Sequence, residues 1–185
     1  NGAVKYEYWI ATPGLHNSSN PWTTVVPTTS YSGAFTEGEG IYSFKVRGIS
    51  KDNRYSNWSN VCTITYDRTA PSTPELKSPQ NNSYVKGDLV ENSWSAVSGA
   101  KNYIYESYSN STATNLRWSQ SLTGTSKSAT KVADTTFWWR VKAIDAAGNE
   151  SAWSPLWKVT VDSTAPVARI TSPSEGATVN KTMTI

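Results

Sequence analysis

The chain has 185 residues, and its 17 Lys and Arg against 14 Asp and Glu leave a formal net charge of +3. Aromatic residues make up 12% of the chain, with nine Trp and ten Tyr, whereas disordered chains are poor in such rings. The small positive charge is spread along the chain, which argues against a nucleic-acid partner. No apolar run exceeds four residues, so the sequence predicts no membrane insertion in this segment.

The residue types that carry chemistry are few. The single cysteine, Cys62, has no partner for an internal disulfide, and it stands in an alternating segment where strand geometry predicts a small buried side chain. The only histidine, His16, lies in a stretch rich in Gly, Asn and Ser, which gives no catalytic triad. No Asp-x-Asp-x-Asp run and no Gly-rich phosphate loop occur. The sequence therefore predicts no enzyme, no metal site and no cofactor.

An internal repeat organises the chain. The segment Asp67-Arg68-Thr69-Ala70-Pro71 recurs 95 residues later as Asp162-Ser163-Thr164-Ala165-Pro166. The same offset aligns residues 42–71 with residues 137–166 without a gap, and a shorter match further upstream has an offset of 97. A period of about 95 residues is far too long for a solenoid unit, so it indicates repeated domains.

Alternation with a period of two predicts strands throughout the repeat, in a chain rich in Thr, Val, Tyr and Trp. Phe137, Trp139, Val141 and Ala143 fall on one face of such a strand. Further strands are predicted at 72–78, 88–95, 102–108, 115–122 and 126–132. The same pattern assigns Tyr103, Tyr105, Trp139 and Trp157 to the core. Seven short strands in about 95 residues are typical of a β-sandwich.

Two segments resemble a known family. Residues 94–105, from Trp94 to Tyr105, are similar to the B–C region of a fibronectin type III domain, and residues 137–154 resemble the F strand, the F–G turn and the start of the G strand in bacterial versions. The resemblance implies an all-β chain of tandem fibronectin type III or immunoglobulin-like sandwiches, as in large extracellular surface proteins. It also implies a corner tyrosine at Tyr42, which Phe137 replaces in the second repeat.

The repeat and the resemblance divide the chain into three parts. Residues 1–67 are expected to form a partial fibronectin III-like domain that lacks its first strands, and residues 68–163 a complete one. Residues 164–185 resemble the first strands of a further immunoglobulin-like domain. We expect these residues to be a window on a longer chain; alternatively, the terminal strands complete the open domain of another copy.

One candidate set joins a tryptophan to outward-facing cations in each repeat. Trp58 and Trp153 each stand in a Ser-x-Trp-Ser pattern just before a final strand. We predict a structural ladder in which cations stack on these indoles. Its members are Trp58, Lys45 and Arg47 in the first repeat, and Trp153, Arg140 and Lys142 in the second. The alternative is an aromatic platform for a sugar ring.

A second set comprises the rings that alternation leaves outside the core, Tyr108, Trp118 and Trp138. A row of exposed rings on a β-face is how many carbohydrate-binding modules hold glycans, so these residues are candidates for ligand binding. The alternative is that a neighbouring loop or domain covers them.

The function predicted from the sequence is non-catalytic. The chain is expected to be a secreted or cell-surface segment, extracellular, that acts as a spacer, a stalk or an adhesive array. Its short Pro-ended linkers predict domains held roughly end to end. Expected partners are sandwich domains of the same chain or of other copies, and glycans or cell-surface proteins. The alternatives are a glycan-binding accessory module of a secreted polysaccharide-acting enzyme, and a filament subunit assembled by strand complementation.

Overall fold

The computed structural model describes residues 2–13, 22–34, 37–87, 89–130, 134–172 and 174–178. Within these ranges the chain forms twelve β-strands and no helix, as the all-β prediction requires. It divides into two compact units, one built on residues 1–72 and the other mainly on residues 73–185, and each is described by itself. His16, residues 131–132 of a predicted strand and residues 179–185 lie outside the described ranges.

The first unit contains one antiparallel sheet. Its strands are β1 (Lys5–Ala11), β2 (Trp22–Val26), β3 (Gly40–Ile49) and β4 (Cys62–Tyr66). They lie in the order β2-β1-β3-β4, so the two longest strands form the centre. The described part of this unit contains no second sheet, which leaves the apolar face of the first sheet without a covering layer.

The second unit contains two sheets. Its strands are β5 (Leu76–Ser78), β6 (Ser83–Val85), β7 (Leu89–Trp94), β8 (Ala100–Tyr108), β9 (Leu116–Leu122), β10 (Ser126–Thr130), β11 (Thr135–Asp145) and β12 (Trp157–Val161). One sheet has the order β10-β7-β5 and the other the order β6-β12-β11-β8-β9. The predicted strands that correspond to β7, β8 and β9 agree to within two residues, and β10 begins where expected. β5 is four residues shorter than predicted at its start, and β6 was not predicted.

The core of the second unit lies between its two sheets. The alternating residues Phe137, Trp139, Val141 and Ala143 of β11 are all fully buried, as predicted. Trp94 from the smaller sheet packs against β8, with its ring centroid 5.7 Å from that of Tyr103 and 6.4 Å from that of Tyr105. Tyr103 and Tyr105 are buried as predicted, and Trp157 is half-buried at an edge-on distance of 6.1 Å from Trp139.

The corner tyrosine is present in the first unit. The Tyr42 hydroxyl donates a hydrogen bond to the Gly38 carbonyl oxygen at 2.9 Å, which confirms the contact that the resemblance implied. Gly38 has a φ of 87°, a backbone conformation that favours glycine. Phe137, the counterpart of Tyr42 in the second unit, carries no hydroxyl and is fully buried.

The prediction that Cys62 is buried is wrong, because the structure leaves it exposed. Cys62 begins β4, the edge strand of the first sheet, and lies opposite Phe44 in the strand register. Alternation places it correctly on the apolar face. That face lacks a second layer in the described residues, so a residue near its edge stays in contact with solvent.

The segment after β12 forms no strand in residues 164–172 and 174–178. Its apolar side chains Val167 and Ile170 are 93% and 73% exposed. The sequence Ile170-Thr-Ser-Pro matches Leu76-Lys-Ser-Pro at the start of the second unit, where Leu76 is buried. Ile170 is therefore the counterpart of a core residue, in a place where no core is described.

Two aligned positions test how far burial differs between the units. We expect Trp139→Ala to lower the free energy of unfolding of the second unit by about 3–5 kcal/mol, because it leaves a large cavity in a closed core. Phe44→Ala, at the aligned position in the open sheet, is expected to cost less than half as much, since Phe44 is already half-exposed. Urea unfolding followed by the NMR signals of each unit measures both costs, and equal losses would contradict the difference.

Candidate functional site

The Ser-x-Trp-Ser segment is held against the neighbouring strand by its two serines. In the second unit the Ser154 hydroxyl oxygen accepts a hydrogen bond from the Val141 backbone N–H at 3.0 Å, and the Ser151 hydroxyl oxygen accepts one from the Ala143 N–H at 2.9 Å. The backbone N–H groups of both serines return bonds of 2.9 Å to the carbonyls of the same two residues. This pairing fixes the Trp153 position beside β11.

The ladder of the second unit lies on the outward face of β11. The Arg140 guanidinium carbon is 4.2 Å from the Trp153 ring centroid, and the Lys142 ammonium is 5.0 Å from it on the same indole. Because side chains two positions apart share a strand face, one indole covers both cations. Contacts of this kind at exposed sites stabilise by about 0.5–1 kcal/mol each.

The first unit repeats this arrangement. The Arg47 guanidinium carbon is 4.5 Å and the Lys45 ammonium 5.0 Å from the Trp58 ring centroid. Ser59 and Ser56 accept backbone hydrogen bonds from β3 as their counterparts do from β11. All six ladder residues therefore lie in two sets of matching geometry.

Sequence reasoning missed further members of the first ladder. The Trp9 ring lies 4.8 Å from the Lys45 ammonium, and the Tyr55 ring 4.0 Å from the Arg47 guanidinium. Glu7 also lies opposite Arg47 in the strand register, and its carboxylate accepts a hydrogen bond from the guanidinium at 2.6 Å. The cross-strand register brings Trp9 and Glu7 to these cations, and an isolated bridge between Ile49 and Tyr55 brings the Tyr55 ring. Neither pairing is visible in a one-strand pattern.

The prediction that Tyr108 is exposed is wrong, since only 3% of its surface is accessible. The Arg140 side chain covers it, with an Nη2 hydrogen bond to the Tyr108 hydroxyl at 2.6 Å, and the hydroxyl donates to the Glu106 carboxylate. Arg140 also forms an ion pair with Glu106 at 2.9 Å. Tyr108 thus belongs to the ladder and offers no free ring face to a ligand.

Trp118 is the exposed ring among the three candidates. It is 54% exposed on β9, and the Lys127 ammonium lies 5.7 Å from its ring centroid. Trp138 is half-buried on β11, opposite Lys158. With Tyr108 covered, the three candidates do not form one row of exposed rings.

The uncovered face of the first sheet forms a hollow of about 610 Å³. Its apolar lining includes Tyr8, Ile10, Tyr31, Tyr42, Phe44 and Ile64. In the aligned repeat, the counterparts of Phe44, Tyr42 and Ile64 are fully buried core residues. The hollow therefore corresponds to the interior side of a sandwich layer, and its mainly apolar lining is that of a core and not of a polar catalytic site.

The buried carboxylate of Asp145 is satisfied by its own turn. Its oxygens accept hydrogen bonds from the backbone N–H groups of Ala147 and Asn149 and from the Asn149 side chain, at 2.8–2.9 Å. The Asn149 side-chain bond is the main reason that the pKa of Asp145 lies below its usual value. Within the described ranges, no three acidic, cysteine or histidine side chains converge as metal ligands would.

Two tyrosines predict how stability depends on alkaline pH. Burial raises the pKa of Tyr105, and burial followed by the Glu106 hydrogen bond raises that of Tyr108, above the ordinary value of 10.0. The folded chain then holds these protons more tightly than the unfolded chain, so the contribution is intact below pH 10.0 and is lost as pH rises above it.

Urea unfolding between about pH 8 and about pH 11 measures this effect. We expect the fall in the free energy of unfolding above pH 10 to be shallower in Tyr108→Phe than in the unchanged chain. Tyr84→Phe removes a tyrosine that is 72% exposed and should leave the slope as it is. Identical slopes for all three proteins would contradict the assignment.

Comparison with known proteins gives no family model and no curated protein that matches the chain. Solved structures do match. The chicken CNTN1 FN1-FN3 domains superpose with a TM-score of 0.60 at 13% identity, over 85% of this chain and 55% of that one. The fibronectin(III)-like modules of Clostridium thermocellum CbhA give a TM-score of 0.49 at 17% identity, over 88% of this chain and 80% of that one.

The chain spans about half the length of the chicken structure, and the likeness concerns the fold. No helix among the described residues is long and apolar enough to cross a membrane. Paired sheets, the corner tyrosine of the first unit and the superposition agree: the chain has the fibronectin type III-like β-sandwich fold.

Proposed function

We propose that this chain is a non-catalytic segment of a large secreted or cell-surface protein, in which sandwich domains serve as a spacer or stalk or as an adhesive array. The observation that carries the proposal is the repeated Asp-x-Thr-Ala-Pro segment that follows the last strand of each unit. Proline fixes its own φ and biases the preceding residue toward extended geometry. A linker this short and this restricted limits the motion of one domain against the next, which suits a spacer.

The partners of the charged side chains support the absence of catalysis. Arg140, Lys142 and Glu106 bind one another or stack on Trp153, and Asp145 is held by its own turn. Catalytic acids and bases are typically found in a cleft, with a pKa moved toward the pH at which the enzyme works. Here the pKa of Asp145 is lowered by its hydrogen bonds, which suits a carboxylate that stays ionised and structural.

Small-angle scattering together with sedimentation velocity tests the spacer proposal. We expect the 185-residue chain to remain a monomer over a wide concentration range and to scatter as an elongated particle, because the short linkers restrict the swing of adjacent domains. A profile typical of a compact globule would contradict the proposal.

The same sedimentation experiment separates the spacer from a filament subunit. Strand complementation between copies would cover the hollow of the first sheet. The uncovered hollow is therefore the observation that favours a filament subunit. Such assembly predicts a mass that rises steadily with concentration. A concentration-independent mass near 20.3 kDa would exclude it under these conditions.

A glycan-binding module is the remaining candidate, and the exposure of Trp118 favours it. An indole face with a nearby ammonium group can stack on a sugar ring and bond its hydroxyls. One isolated ring gives weak binding, so we expect millimolar affinity at best.

Affinity electrophoresis in gels that contain soluble polysaccharides measures such weak binding. If glycans bind here, Trp118→Ala should abolish the retardation, whereas Tyr84→Ala should preserve it, since Tyr84 is 72% exposed on another strand. No retardation of the unchanged chain on any polysaccharide would leave the spacer proposal as the better account.

A further inference from the structure

A carboxylate holds the chain where it leaves the first sheet. The Glu39 Oε1 atom accepts a hydrogen bond from the Arg68 backbone N–H at 2.7 Å, and its Oε2 atom accepts one from the Thr69 hydroxyl at 2.7 Å. Asp67 accepts a third, from the Thr69 backbone N–H at 2.9 Å. Three hydrogen bonds therefore order the two residues that precede Ala70-Pro71.

The second unit forms the same three bonds. The Asp134 Oδ1 atom accepts from the Ser163 backbone N–H at 3.0 Å, and its Oδ2 atom accepts from the Thr164 hydroxyl at 2.7 Å. Asp162 accepts from the Thr164 backbone N–H at 3.1 Å. Asp134 stands 95 residues after Glu39, so the contact follows the repeat although the residue type differs.

The two acids reach their partners in different ways. Asp134 has a φ of 54°, in the left-handed region that aspartate adopts more readily than most residues. Glu39 has a side chain one methylene longer and lies between Gly38 and Gly40, whose φ values are 87° and 140°. Different backbone conformations thus bring a carboxylate to equivalent donors in the two units. The bonds are therefore not the by-product of one shared turn conformation.

We propose that Glu39 and Asp134 are linker clamps, positioning residues that fix the direction in which the chain leaves the last strand of each unit. The clamp acts on two donors, a backbone N–H and a threonine hydroxyl, and so fixes the peptide plane before the Ala-Pro pair. Proline then limits the next rotation. Between the clamp and the proline stands only the alanine, which the proline itself biases toward extended geometry.

Hydrogen bonding to the ionised form agrees with this role. The bonds from Thr164 and Ser163 lower the pKa of Asp134 below its usual value, so the carboxylate is charged at neutral pH and can accept both bonds. The clamp lies within each unit and does not depend on the spacer function. A failed clamp test would leave the spacer proposal to its own scattering experiment.

Backbone ¹⁵N relaxation on the full chain tests the clamp. In the unchanged chain, Arg68, Thr69, Ser163 and Thr164 should have order parameters of about 0.85, as in rigid backbone. We expect Asp134→Ala to lower those of Ser163 and Thr164 to about 0.6 or below. It should leave Arg68 and Thr69 unchanged, and Glu39→Ala should do the reverse.

Two further variants separate a clamp from a general effect. Asp134→Glu restores the carboxylate with the length that the first unit uses, and it should recover much of the order at Ser163 and Thr164. Glu91→Ala removes an exposed acid on β7 and should change neither linker. Unchanged order parameters in both alanine variants, or loosening of both linkers by either variant, would overturn the proposal.

Discussion

Alternation along β11 is the constraint on which the second unit depends. Its inward residues are fully buried, so a second sheet has to cover them, and Trp94 of that sheet is buried against Tyr103 and Tyr105 of β8. Its outward residues include two cations two positions apart, which one indole can cover. The same period-2 geometry thus dictates both the core and the ladder, and a change of register by one residue would exchange them.

The first unit repeats the outward arrangement of the second unit without its closed core. The outward half is complete there, because Trp58 lies on Lys45 and Arg47 as Trp153 lies on their counterparts. The inward half stays open as a hollow, because no second sheet is described. The ladder therefore forms on one sheet alone, whereas the closed core requires two.

The sequence predicted what depends on local pattern and on the repeat, namely the all-β fold, most strands of the second unit and the ladder partners. It did not predict β6, because three residues are too few to show a period. Nor did it predict the cover over Tyr108. Alternation places that ring outward, but a long arginine on another strand lies across it. Such contacts depend on register and side-chain reach, which one strand's pattern does not contain.

The short strand β6 has a consequence for solubility. It pairs in parallel with β12 and occupies the hydrogen-bonding edge of the larger sheet. In the described part of the first unit, β4 is the counterpart of β12, and it forms the edge of its sheet beside an uncovered apolar face. Unprotected edges are where sheets of different molecules join. If copies of the chain associate at very high concentration, the contact is therefore expected at β4, and charged substitutions along β4 should weaken it.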